Sequence, residues 1–130
     1  MTPNRVVVRY LDGRVLKGTV SDFSPHRCSF HIETLEGGMR PVEQRQLKAI
    51  YFVRSFGGDT RPHRSNLFPP GRPVVGRKIA VRFADGEILV GTTVGYRPYR
   101  PGFFVVPADP ESNTQRCFVV AGATSEVRMF

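Results

Sequence analysis

A stretch near the start of the chain is written a second time 73 residues later. Val6-Val7-Val8-Arg9-Tyr10-Leu11-Asp12-Gly13-Arg14-Val15-Leu16-Lys17-Gly18-Thr19 aligns with Ile79-Ala80-Val81-Arg82-Phe83-Ala84-Asp85-Gly86-Glu87-Ile88-Leu89-Val90-Gly91-Thr92, and seven of the 14 columns are identical. The offset continues without a gap through Phe23/Tyr96, Pro25/Pro98, Arg27/Arg100 and Phe30/Phe103. Chance does not produce such a match, so the chain is a tandem duplication of a unit of about 50 residues. At 130 residues it has room for one ordinary domain or two very small ones, and the repeat selects two.

Each unit reads as all-β. Val6–Tyr10 and Ile79–Phe83 are short runs of β-branched and aromatic residues, as strands require. Asp12-Gly13 and Asp85-Gly86 follow as hairpin signals, predicting type I′ turns with both central residues at positive φ. The second strand runs from Val15 to about Phe23, and from Ile88 to about Tyr96. Its mid-strand glycine, Gly18 or Gly91, predicts a bend or bulge that curls the sheet closed. A third strand over Cys28–Glu33 or Gly102–Val106 follows a proline-containing loop. Two short strands then close each unit, interrupted in the first by a helical or 3₁₀ turn at Glu43-Gln44-Arg45-Gln46. The expected fold is all-β, with two tandem five-stranded barrels: the first over 1–54, a Pro/Gly/Arg-rich linker over 55–75, and the second over 76–130. Phe56 and Phe68 are the linker residues expected to dock on a barrel.

The net charge of +8 and a pI near 10.3 favour contact with anions. Only Lys17, Lys48 and Lys78 among the 19 cations are lysines, and the excess of arginine with glycine and proline is equally the mark of a GC-rich genome. Cys28 and Cys117 sit in apolar strand-like runs and read as buried, reduced thiols. His26, His31 and His63 are scattered without a carboxylate or cysteine at a metal-ligand spacing, and no phosphate loop or serine elbow occurs. No apolar run approaches the ~18 residues of a membrane helix, and the N-terminus does not read as a signal peptide. These features lead to the expectation of a cytoplasmic, non-catalytic protein with no metal or other cofactor and no membrane contact.

The strand–Asp-Gly–strand pattern with Gly18, followed by Asp22-Phe23-Ser24-Pro25-His26, resembles the first motif of Sm-like proteins. The second copy, with Asp85-Gly86, Gly91 and Gly102–Asn113, resembles a family of uncharacterised bacterial domains found alone, in tandem or beside signalling modules. The resemblance covers both units and implies small barrels of Sm-like or SH3-like type. It does not carry over the uridine site of Sm rings, because neither copy has the asparagine and Arg-Gly pair of that pocket. Arg5-Val6-Val7-Val8-Arg9 and Asp22-Phe23-Ser24 partly resemble the cyclic di-GMP motifs of PilZ domains, without their closing glycine.

The leading ligand candidate is the loop Tyr96-Arg97-Pro98-Tyr99-Arg100-Pro101. Its alternating rings and guanidinium groups on a proline-stiffened backbone suit bases and phosphates together. The counterpart in the first copy is Phe23-Ser24-Pro25-His26-Arg27. A second candidate is the basic linker with Arg54, Arg61, Arg64, Arg72 and Arg77 against Asp59. The functional expectation is a binding or adaptor module mediating protein–protein contacts. The alternative is nucleic-acid or nucleotide binding, cyclic dinucleotides included, through the basic–aromatic loops Tyr96, Arg97, Tyr99, Arg100 and Phe23, His26, Arg27.

Overall fold

The computed structural model describes residues 4–57 and 66–130, and within them the two repeats build the same elements in the same order. The first gives β1 (Asn4–Tyr10), β2 (Val15–Val20), β3 (Ser29–Thr34), β4 (Met39–Glu43), a 3₁₀ turn (Gln44–Gln46) and β5 (Leu47–Val53). The second gives β6 (Arg77–Phe83), β7 (Ile88–Thr93), β8 (Gly102–Pro107), β9 (Thr114–Val120), a 3₁₀ turn (Ala121–Ala123) and β10 (Thr124–Met129). Asp59, Arg61 and the linker run to Arg64, with His63, lie outside the described residues.

Period-two burial sets the strands: Val6, Val8 and Tyr10 point inward on β1, and Phe30, Ile32 and Thr34 on β3. The hairpins depart from the expected type I′ turn. Gly13 and Gly86 have φ of +95° and +96°, but no non-glycine residue has positive φ among the described residues. Tyr10 O accepts from Gly13 N–H at 3.1 Å while Tyr10 N–H donates to Arg14 O at 2.9 Å. The loop is therefore three residues long with one left-handed glycine, the next commonest hairpin solution. The aspartate serves it differently: Asp12 Oδ1 accepts from Arg14 N–H and Asp85 Oδ1 from Glu87 N–H, each at 3.0 Å.

All ten strands join in one antiparallel sheet, in the order β10-β6-β7-β8-β9-β5-β1-β2-β3-β4. This corrects the expectation of two separate five-stranded barrels. Within each half the first strand pairs with the last, but the halves are joined by β9 on β5, and β4 and β10 remain free edges. The sheet therefore does not close. The junction register runs from Ala49 opposite Val119 to Val53 opposite Thr114.

Both faces of the junction are buried, each against a different half. Ile50, Phe52, Phe118 and Val120 face a core with Val6, Val8, Phe30, Ile32 and Val42. Ala49, Tyr51, Val53, Cys117 and Val119 face another, with Ile79, Val81, Phe83, Leu89 and Val105. Each core borrows the inward face of one junction strand from the other repeat, β9 for the first and β5 for the second, and this supplies apolar area that about 50 residues alone bury only marginally.

Gly18 and Gly91 do not mark bulges, since the β1–β2 and β6–β7 registers run through them unbroken. They mark close approach. A Cβ on Gly18 would collide with the Glu33 carbonyl, and one on Gly91 with the Val106 carbonyl. Of the described residues next to the linker run, Phe56 packs on the second core and Phe68 meets Phe130 edge-on at 6.4 Å between centroids.

Candidate functional site

The loops after β2 and β7 are sequence counterparts, and the fold brings them to the two sides of one groove of about 840 Å³. His26 and Arg27 come from the first half, Tyr99 and Arg100 from the second, and all four are exposed. At an offset of 73, His26 is the counterpart of Tyr99 and Arg27 of Arg100. The apolar floor includes Phe103, Phe104, Phe118 and Val120. Gly102 keeps that floor tight, because a Cβ there would strike the Phe118 ring.

Not every expected ligand residue is available. Phe23 is a core residue, edge-on to Phe118 at 5.1 Å and to Phe30 at 5.3 Å. Tyr96 likewise turns inward, with its ring perpendicular to Phe103 at 4.8 Å. Arg97 is exposed but spends a guanidinium N–H on the Tyr96 carbonyl at 3.0 Å, and it does not line the groove. Counterpart residues thus divide alike in both copies: the aromatic at the strand end enters a core, and the pair His26-Arg27 or Tyr99-Arg100 faces the groove. Cys28, expected to be buried, is exposed on the groove wall, whereas Cys117 is buried.

Two further residues reach the groove from the first 3₁₀ turn. Arg45 Nε donates to Glu43 Oε2 at 3.1 Å on the rim, so this cation is partly neutralised. Neither Arg27 nor Arg100 has an ion-pair partner among the described residues. Gln44 is only 5% exposed, and its Nε2 has no hydrogen-bond partner among the described residues. The signal for it lay in comparing the copies. β3 and β4 pair Ser29 with Glu43, and β8 and β9 pair Gly102 with Val120, so beyond the longer loop of copy two the offset is 77. Gln44 then corresponds to Ala121, a large polar side chain where the other copy has a methyl group.

A model of a family of unknown function (DUF6982) matches residues 2–130. The chain belongs to that family. This agrees with the expected kinship to uncharacterised domains. No curated protein and no solved structure matches the chain.

A second groove of about 410 Å³ holds Arg9, Lys17, Lys48, Tyr51 and Glu87; Lys48 and Glu87 there are paired with each other, and Lys17 Nζ donates to the Phe56 carbonyl at 3.4 Å. The β1–β5 pairing skips Lys48, and that irregularity turns its side chain toward the β6–β7 hairpin. Lys48 Nζ lies 2.5 Å from Glu87 Oε1 and 2.7 Å from Asp85 Oδ2, and 4.7 Å from the Phe83 ring centroid. Tyr51 donates its hydroxyl to Glu87 at 2.9 Å. Burial, with Cys117 and Glu87 nearby, holds the Tyr51 hydroxyl protonated well above the usual phenol range. The Asp85 carboxyl sits below its ordinary value, chiefly through the Lys48 hydrogen bond and then the Glu87 amide. This cluster fastens one half to the other.

Arg5 Nη1 donates to the Arg54 carbonyl at 3.0 Å, and Arg9 lies 5.8 Å from the Tyr51 ring centroid; neither lines the first groove. His31 meets Asp22, whose Oδ2 is 2.9 Å from Nδ1 and whose Oδ1 accepts the His31 backbone N–H. Partial burial pushes the Asp22 carboxyl up, but these bonds from His31 outweigh it and leave it below the ordinary value. Among the described residues no three His, Cys, Asp or Glu side chains form a group able to hold a metal ion, and no helix is long and apolar enough to cross a membrane.

Proposed function

We propose that the chain is a non-catalytic binding module that takes a small anion-bearing molecule in the groove between its repeats. One observation carries the reading: Arg27 and Arg100, a duplicated pair, face the same groove from opposite halves without ion-pair partners among the described residues. Two guanidinium forks above an apolar floor suit a ligand with an anionic end and an apolar body, since charge-assisted bonds give orientation and the floor gives buried area.

The test is titration of the full chain at low salt with nucleoside monophosphates, cyclic dinucleotides, aromatic carboxylates and inorganic phosphate, followed by amide chemical shifts. Shifts in both groove loops that weaken with added salt are expected. Arg27→Ala and Arg100→Ala should each reduce affinity by about tenfold or more, the scale of a lost charge-assisted hydrogen bond. If no anion moves these resonances, the reading fails.

A protein-adaptor role has its own support in exposed Val75, Val94 and Val106, beside a third groove lined by Phe68, Pro73 and Val74. A partner recovered by crosslinking through Val75 or Val106, in a chain that ignores every small anion, favours that reading.

A further inference from the structure

We infer that the groove is built for a nucleotide, and that Gln44 reads its base; the inference rests on the groove being the binding site. A buried polar group without a partner is rare in folded proteins and calls for an explanation. Among the described residues Gln44 Nε2 is the single buried side-chain nitrogen or oxygen left without one, and Gln44 lines the groove that Arg27 and Arg100 flank.

The fold itself does not ask for glutamine here. In both copies the first residue of the 3₁₀ turn donates its backbone N–H to the counterpart carbonyl at 2.8 Å, Gln44 to Cys28 and Ala121 to Pro101. Alanine makes that structural contact as well as glutamine does. The amide is therefore additional to the architecture, and it stands where a ligand would enter.

Three demands then narrow the occupant. Nε2 needs an acceptor delivered to a nearly waterless position, so the acceptor must belong to a body that itself accepts burial. The floor of Phe103, Phe104 and Phe118 suits a flat ring, and Tyr99, 79% exposed at the rim, offers another ring face for stacking. Arg27 and Arg100 require an anion at the outer end. A nucleobase with its phosphate meets all three, having carbonyl and ring-nitrogen acceptors on a flat ring and a charge one sugar away. Inorganic phosphate meets only the last demand, and an acidic peptide lacks the acceptor-bearing ring.

The experiment compares the wild-type chain with Gln44→Leu, Gln44→Glu and Arg100→Ala, each titrated calorimetrically with GMP, AMP, UMP, CMP and inorganic phosphate. The expected wild-type result is that at least one nucleotide binds more tightly than phosphate. Gln44→Leu should weaken that nucleotide about tenfold, leave phosphate unchanged, and raise the melting temperature, because the unpaired donor is gone. Gln44→Glu keeps the side-chain shape but loses the amide donor, so it should weaken the nucleotide whether or not the leucine variant folds. If both Gln44 variants keep wild-type nucleotide affinity while Arg100→Ala loses it, the role of Gln44 is overturned and the groove remains a binding site. Phosphate binding as tightly as every nucleotide overturns the nucleotide assignment alone. Failure of all five ligands to bind overturns the nucleotide, and a flat result with the wider anion set removes the groove reading too.

Discussion

Lys48 shows how much one side chain can carry when it stands at a junction. Its side chain is 12% exposed, and its ammonium group meets Glu87 and Asp85 on a hairpin of the other half. Replacing it by methionine keeps an unbranched side chain but removes the cation over the Phe83 ring and beside Glu87. Lys48→Met should cost about 1.5–3 kcal/mol in urea denaturation at pH 7, the range for hydrogen bonds to charged groups. Asp85 is half in solvent, so its share of that figure is small. The pH dependence has a definite sign. A carboxyl with a lowered folded pKa stabilises above its ordinary pKa and loses that contribution as pH falls through the lowered value. The gap between wild type and Lys48→Met should therefore narrow below about pH 4. Little of this was legible beforehand. The Asp-Gly turn could be read from adjacent residues, whereas the Lys48 contact depends on an irregular strand pairing and a partner 37 residues away. Gln44 is visible as a residue in a predicted turn, but its burial is not, because burial is set by tertiary packing rather than by local sequence.

At the scale of the strand, the two mid-strand glycines are conspicuous in the sequence, but the pairing through them carries no bulge. A glycine in a β-run signals either an extra residue or a close neighbour, and only the pairing decides between them. Here the neighbour is backbone: the Glu33 carbonyl over Gly18 and the Val106 carbonyl over Gly91. Gly18→Ala and Gly91→Ala should each cost at least about 1–3 kcal/mol, as overfilled sites do. Gly122→Ala, with nothing within 4 Å of its added Cβ, should stay within about 0.5 kcal/mol. Urea midpoints on the three variants check the contrast. The repeat makes the succession of strands along the chain legible, and nearly all their positions, since local propensity and turn chemistry act over a few residues. The junction has a sign of its own in the sequence. Ala49-Ile50-Tyr51-Phe52-Val53 and Cys117-Phe118-Val119-Val120 are unbroken apolar runs, the mark of strands covered on both faces, while most other strands alternate.

At the scale of the molecule, the expected two barrels became one sheet with two cores because a five-stranded unit leaves a row of unpaired backbone groups at either side. The β9–β5 junction satisfies one row from each half, and β4 and β10 keep the others. These two free strands are the counterparts of β9 and β5, so the sheet's two edges correspond to the two strands of its junction. Carried over by the offset of 77, the junction register would set Arg128 against Arg40 and Val127 against Pro41. Two like charges would meet, and a proline would withhold a donor, both of which discourage edge pairing. The wild-type chain should sediment as a single species, while Arg40→Cys with Pro41→Phe, which copies the β9 residues, should form larger ones in analytical ultracentrifugation. A unit that fits its own copy is a rule for unlimited concatenation, and here the rule is applied once and then cancelled. The finite size of this molecule would then be written into two adjacent side chains of β4 and their counterpart arginine on β10.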